Sequence, residues 1–482
     1  MTTATSCAID AQEQILILSG TGERPGAAAL VGARARSEAR LTGRGKTWKA
    51  RFPLHVSRWG GPELPLPSGE YHIDIPGVDV DVDIPLQLLS RLRVEVKGDR
   101  LLVGPPLDPA LESVEAIAAH ERRYSAHTAP LENAVFFESF YGRVAGCNPL
   151  AIDREIARIE PGVTRYWSVV DHSVVVPDGA VALIEGSEEW WRARSASRLL
   201  VVNDWLRRRY TRRAGQRVLQ TWHGTPLKRL ALHRGGFAPR RWGAIVKESR
   251  RWDVLLAQNP YAARILSKAY AFLGKPVWTE GYPRNDVLTT GDDGATRRAL
   301  GIAPEERVVI YAPTWRDDRA EIVDFIDPVE LAKETQSVVL VRGHTRTLVP
   351  GRNVDGPRVI DVTGFADTSA LLVAADALVT DYSSVMFDFS VTGKPMYFLV
   401  PDIERYRGEL RGFYFDLVAR APGPLVRSQD ELVAALARDP DEFAVRYDKW
   451  QARFNRREDG RASQRVVARI FDQGFLDRGK SS

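Results

Sequence analysis

The chain has 482 residues, 44% hydrophobic and 27% charged, with 67 Lys and Arg against 62 Asp and Glu. These values exclude a disordered chain and exceed one ordinary core, so two or three domains are expected. A net charge of +5 gives no argument for nucleic acid, two cysteines cannot form a disulfide framework, and no apolar run nears the ~20 residues of a membrane span.

The N-terminus lacks a basic stretch followed by an apolar core, so no secretory signal is read and a reducing, cytoplasmic setting is expected. In residues 1–118, Ile15–Leu18 is a short apolar run, and Tyr71–Ile75 and Val78–Ile84 alternate as half-buried strands do. Arg93–Val96 and Arg100–Val103 flank Lys97-Gly98-Asp99 as a hairpin. With Pro and Gly punctuating the region, a small β-rich domain is predicted. Asp79, Asp81 and Asp83 share one face. A solvated strand accounts for them, since a hard cation needs six or more converging oxygens.

Over 119–290 the period changes. Strands at Val135–Phe137, Tyr166–Val170, Leu199–Val202, Val218–Leu219, Leu255–Ala257 and Pro276–Trp278 interleave with helices opened by Asn148-Pro149 and Asn259-Pro260. Gly291–Gly294 reads as a linker. Residues 291–482 repeat the βα pattern, with a further strand at Met396–Val400 and a helical tail from Gln429. The predicted class is α/β, with two Rossmann-like, doubly wound domains facing a cleft behind the β-rich domain.

Five polar loops directly follow apolar runs: Thr221–Pro226, Tyr311–Arg316, Arg342–His344, Asp361–Gly364 and Thr380–Ser384. In parallel sheets ligands bind beyond the carboxyl ends of the strands, so five such loops point to one anionic ligand site. Asp381, Ser383 and Ser384 either cap the helix that follows or cradle a phosphate at its start. Asp388, one turn on, reads as a ribose partner or as a solvated position. Thr314 offers a hydroxyl, and Arg316 and Arg342 offer planar charged forks. In the other half, His223 stands with Thr225 and Lys228. It serves as a proton acceptor or orders its loop. A base facing a phosphate site implies transfer of a phosphate-linked group to a hydroxyl. The eight His and two Cys form no HExxH or CxxC pattern and no carboxylate cluster is evident, so no metal site is assigned. GxxxxGK[ST] and GxSxG are also absent, which disfavours a P-loop nucleotidase and a serine hydrolase.

Gln220–Lys228, Gly281–Asp286, Tyr311–Arg316, Thr380–Phe389 and Arg411–Asp416, in this order, resemble the CDP-glycerol glycerophosphotransferase family, the teichoic acid polymerases and primases. The resemblance runs from about 133 to about 475 and leaves the β-rich first quarter unassigned. It implies a GT-B fold with the donor in the C-terminal half. It also implies transfer of a polyol phosphate, usually glycerol phosphate, from a CDP-linked donor to a hydroxyl, with release of CMP. His223 falls on the family's proposed base and His344 on its pyrophosphate-contacting histidine. Thr314, Arg316, Asp381, Ser383 and Ser384 fall on its donor loops. Arg284, Asn285 and Asp286, with Thr225 and Lys228, are placed on the acceptor side. Thr345-Arg346 stands where family members often carry Pro after the second His.

CDP-glycerol is thus the expected donor substrate. No cofactor is assigned, and metal dependence and the choice of glycerol or ribitol stay open. Family acceptors are lipid-linked polymers at the inner membrane face. The basic segment from Trp242 to Trp252 then reads as an interfacial helix giving peripheral membrane association, or as a solvated face. Two rivals share these features: a nucleotide-sugar glycosyltransferase on the same fold, and a non-catalytic polymer-binding protein.

Overall fold

A computed structural model describes residues 2–208, 210–236, 238–314, 325–343, 354, 356–406 and 412–479. Arg316, His344, Thr345, Arg346 and Arg411 lie outside the described residues.

The first hundred residues fold into two sheets that share one apolar core. A five-stranded sheet runs in the order 78–79, 2–10, 15–21, 47–53, 40–44, and a six-stranded sheet in the order 82–88, 93–98, 100–104, 69–74, 29–32, 36–38. Leu16, Leu18, Trp48 and Phe52 from the first sheet meet Leu30, Tyr71, Val94 and Leu101 from the second. The predicted hairpin forms, with Lys97 opposite Arg100. Val78–Ile84 keeps its alternating burial, but the chain bends at Val80–Asp81 and its two parts pair in different sheets. Alternation fixes which face is buried, not which strand lies alongside.

Two parallel sheets follow. The first has the order 181–184, 164–169, 132–138, 197–202, 217–220, 254–256, 277–278. The second has the order 359–361, 338–341, 308–312, 377–380, 396–399, 425–426. Val308–Ala312, Val338–Val341 and Ala377–Thr380 are buried at every position, as strands covered by helices on both faces must be. In both sheets the chain starts mid-sheet, moves outward, and returns to the other side of its first strand. That reversal opens a crevice beside the first strand's carboxyl end. The two crevices lie beyond Glu138 and Val202 in one half, and beyond Ala312 and Thr380 in the other.

The structure draws the boundaries differently from the sequence. The helix Val114–Ser125 straddles residue 118 and packs on the helix Glu188–Ala196, where Glu188 meets His120, Arg123 and Tyr124. It therefore belongs with the first βα half. At the other end, the helix Ala462–Asp472 leaves the second half and buries Val466, Val467, Ile470 and Phe471 against Ile152, Ile156 and Trp278 of the first. An apolar stripe shows that a helix will be buried. It does not say which sheet receives it.

Candidate functional site

The two crevices face each other through their strand-end loops. In the first half, Gln220 ends its strand and the chain passes through Thr221, Trp222 and His223. The His223 ring lies against Trp222, with ring centroids 4.7 Å apart, and tilts on Phe140 at 5.7 Å. Its Nδ1 is 2.6 Å from the Asn203 carbonyl oxygen. A carbonyl only accepts, so Nδ1 carries the proton, and in the neutral ring Nε2 holds the lone pair. Asn203 also accepts from the Phe140 backbone N–H at 2.9 Å through Oδ1. That bond holds a turn in which Phe140, Tyr141 and Gly142 all adopt positive φ. Bulky residues at positive φ are strained, and such strain persists only where neighbours enforce it. The loop's backbone is held from below by Asn148, whose side chain donates to the Thr221 and Trp222 carbonyls.

In the second half, the Thr380 hydroxyl donates to the Ala312 carbonyl at 2.7 Å, pinning the two strand ends together. Beyond them Asp381 accepts from the backbone N–H of Thr314 at 2.9 Å and from that of Tyr382. The carboxylate thus shapes the crevice rather than facing a ligand alone. Ser384 makes no side-chain cap to the helix Val385–Phe389. Thr314, Ser383 and Ser384 remain half-buried at the crevice mouth.

The loops meet at one place. A side-chain carbon on Gly224 would lie 2.7 Å from Ser384 Oγ, so the residue after His223 touches the second half's loop, and any side chain there would displace Ser384. Arg284 ties this meeting point together. Its Nη1 donates to the His223 carbonyl at 2.9 Å and lies 3.0 Å from Cys147 Sγ, while Nη2 reaches Asp388 Oδ2 at 2.7 Å. Asn285 donates to the other oxygen of Asp388 at 3.0 Å. Burial works against the Arg284 charge, and Asp388, Cys147 and Tyr282 together more than compensate, holding the guanidinium above its ordinary range.

These contacts correct several expectations. Asp388 is buried and engaged by Arg284 and Asn285, which makes it an anchor between the two halves. Asp286 accepts from the backbone N–H groups of Ala462 and Ser463 and from the Ser463 hydroxyl, and so starts the returning helix. Thr225 is buried, donating to Gln258 and accepting from Asn259. Arg342 is half-buried, bonded to the Val362 and Phe365 carbonyls and to Thr368. In each case the charge or hydroxyl was legible, but the partner lies 20 to 177 residues away. Lys228 bridges to Phe413 and lies 6.0 Å from the Tyr406 ring centroid. Trp252, placed on an interfacial helix from the sequence, is buried in the first half's core with its indole N–H on Glu248. Asn148, Asn203 and Phe140 were missed. Asn203 directly follows the run Leu199–Val202, so its strand-end position was visible.

Glu138 ends the first strand of the first half. Burial, then the neighbouring Glu185, pushes its carboxyl up to about 7, against a hydrogen bond from Ser168.

The CDP-Glycerol:Poly(glycerophosphate) glycerophosphotransferase family matches residues 123–472. The chain belongs to this family. It is 36% identical to the teichoic acid poly(glycerol phosphate) polymerase of Bacillus subtilis (strain 168), over 70% of this chain and 48% of that protein. It thus spans about half the length of that relative. It is 34% identical to the teichoic acid glycerol-phosphate transferase of Staphylococcus aureus, over 71% of this chain and 94% of that one. Among solved structures, the wall teichoic acid polymerase TagF superposes with a TM-score of 0.68 at 29% identity, covering 75% of this chain and 94% of that chain. The GT-B type fold implied by the resemblance is therefore the fold of this chain, with the β-rich domain outside the matched region.

Proposed function

We propose that the chain transfers glycerol phosphate from CDP-glycerol to a hydroxyl of a glycerol-phosphate acceptor. The acceptor oxygen attacks the phosphorus that carries glycerol. The bond from that phosphorus to the bridging oxygen breaks, CMP leaves with the electron pair, and the acceptor proton passes to His223 Nε2. The observation that carries this reading is the meeting of the His223–Gly224 loop with Ser384, where a histidine with an unprotonated Nε2 adjoins the crevice of the other half. Phosphoryl transfer depends mainly on positioning and charge stabilisation, which this arrangement suits. On this reading Thr314, Ser383 and Ser384, with Arg316 and His344, hold the donor diphosphate.

No helix among the described residues is long and apolar enough to cross a membrane. We place the acceptor on a lipid carrier at the inner membrane face, with the enzyme bound peripherally. The helix Pro239–Ser249 supports this, exposing Arg240, Gly243, Ala244 and Lys247, with Arg250 just beyond. Arg207, Arg208 and Arg212 add less, because Glu185 and Asp253 engage them.

The test is nucleotide release from CDP-glycerol, with CDP-ribitol and nucleotide sugars alongside and a bacterial membrane fraction as acceptor. CMP release from CDP-glycerol is expected. Release of a nucleoside diphosphate from a sugar donor, with none from either CDP-polyol, contradicts the proposal.

A further inference from the structure

The β-rich domain lies outside the family match, yet it touches both halves of the transferase. On one side the Ser68 backbone N–H donates to Asp171 Oδ2 at 2.8 Å, and Arg58 Nη2 reaches the Ser173 carbonyl at 3.4 Å. Asp171 lies two residues past the strand Thr164–Val169 and is buried. On the other side Trp59 crosses to the second half. Its ring packs edge-on against Phe365, with centroids 5.5 Å apart, and its Cη2 lies 2.9 Å from where a side-chain carbon on Gly364 would sit. The indole therefore rests on bare backbone.

Trp59 is held for this purpose. It adopts φ 48°, followed by Gly60 at 66°, in a turn closed by Gly61 N–H donating to the Arg58 carbonyl at 2.9 Å. The Arg58 guanidinium lies 5.5 Å from the Trp59 ring centroid. A tryptophan at positive φ costs conformational energy that a loop without a task would relax.

The loop it touches leads into the donor crevice. Thr363, beside Gly364, accepts through Oγ1 from the Gly343 backbone N–H at 2.8 Å. Gly343 precedes His344 in the chain. Arg342 bonds the carbonyls of Val362 and Phe365 on either side of that contact. Trp59, Gly364, Thr363 and Gly343 thus form a continuous line from the β-rich domain to the residues just past the strand Val338–Val341.

We infer that Trp59 is a positioning residue for the donor side, through which the β-rich domain holds the 362–365 loop and with it Gly343, just past the strand Val338–Val341. The inference rests on the donor reading proposed above. Its loss weakens CDP-glycerol binding while leaving the transfer step and the acceptor untouched, because the contact acts before chemistry begins.

The experiment uses the full chain with W59A, W59F, G364A and the double variant W59A/G364A. CDP-glycerol KM, acceptor KM, kcat and deuterium uptake over 359–366 are measured for each. W59A is expected to raise CDP-glycerol KM roughly three- to tenfold, the worth of one aromatic contact. W59F is expected to restore most of it, and uptake over 359–366 to rise in W59A. G364A should mimic W59A, since its methyl displaces the indole, and should add nothing in the W59A background. An unchanged donor KM in W59A, additive effects of the two substitutions, or a change confined to acceptor KM overturns the inference. If the wild type releases no CMP from CDP-glycerol, the donor reading itself fails. Uptake over 359–366 then decides the role of Trp59, an unchanged value in W59A overturning it.

Discussion

The two βα halves reverse direction at the same point in their sheets, but their crevices are furnished differently. In the first half the contacts converge on one side chain. Asn203 sets the tautomer of His223, Asn148 holds the carbonyls before it, and Arg284 holds its own carbonyl. In the second half the contacts organise backbone. Asp381 gathers the N–H groups of Thr314 and Tyr382, and Thr363 takes that of Gly343. One fold thus gives an oriented histidine on one side and a shaped polar crevice on the other. The same crossover geometry serves both because it delivers strand ends, and the loop residues decide their use.

Arg284 joins the two halves, through the His223 carbonyl on one side and Asp388 on the other. Arg284→Met strands Asp388 in a buried position, and losing one partner of a buried pair costs ~3–5 kcal/mol. A large fall in melting temperature with loss of CMP release is expected. Asp388→Asn should cost less, and the double variant should be well short of additive. A melting temperature unchanged in Arg284→Met would show that the halves are held together elsewhere.

Gly224 lies at the contact between the two loops. In Gly224→Ala the new methyl meets Ser384 Oγ and forces the loops apart. CMP release should fall about 10- to 100-fold, or ~1.4–2.7 kcal/mol of barrier, with little change in melting temperature. Full activity would mean that the loops need not touch.

The smallest expected effect concerns pH. Glu138, with its folded value pushed up to about 7 by burial, binds a proton that the unfolded chain has already released. Its stabilising contribution is therefore present at low pH and is lost as pH rises through the window from ~4.5 to 7. Glu138→Gln keeps an acceptor for Ser168 and removes the titration. Melting temperatures from pH 5 to 8 should fall less in the variant than in wild type, by an amount worth ~1–3 kcal/mol. Parallel curves would place Glu138 in a better solvated setting.

The same division governs what the sequence reveals. Val308–Ala312 and Val338–Val341 are uniform apolar runs, and the polar residues after them are strand ends by necessity. His223 could be singled out on that ground. The pairing of Asp388 with Arg284 was not legible, because a charged residue looks alike whether it meets a ligand or a partner 104 residues away. Asp286 misleads in the same way, since the helix it caps returns from the far end of the chain. The β-rich domain was legible as a domain from its alternation. Its reach to Gly364 through Trp59 has no local signature, since only the fold brings those residues together.

The central claim is that the first half supplies a base to a donor held by the second. Its most direct test is His223→Asn in the full chain, with CMP release and CDP-glycerol binding measured on the same preparation. Release should fall by ~10²–10⁴, the usual worth of general base catalysis, with the donor dissociation constant nearly unchanged. Release within tenfold of wild type, or loss of donor binding in parallel with release, would contradict the account.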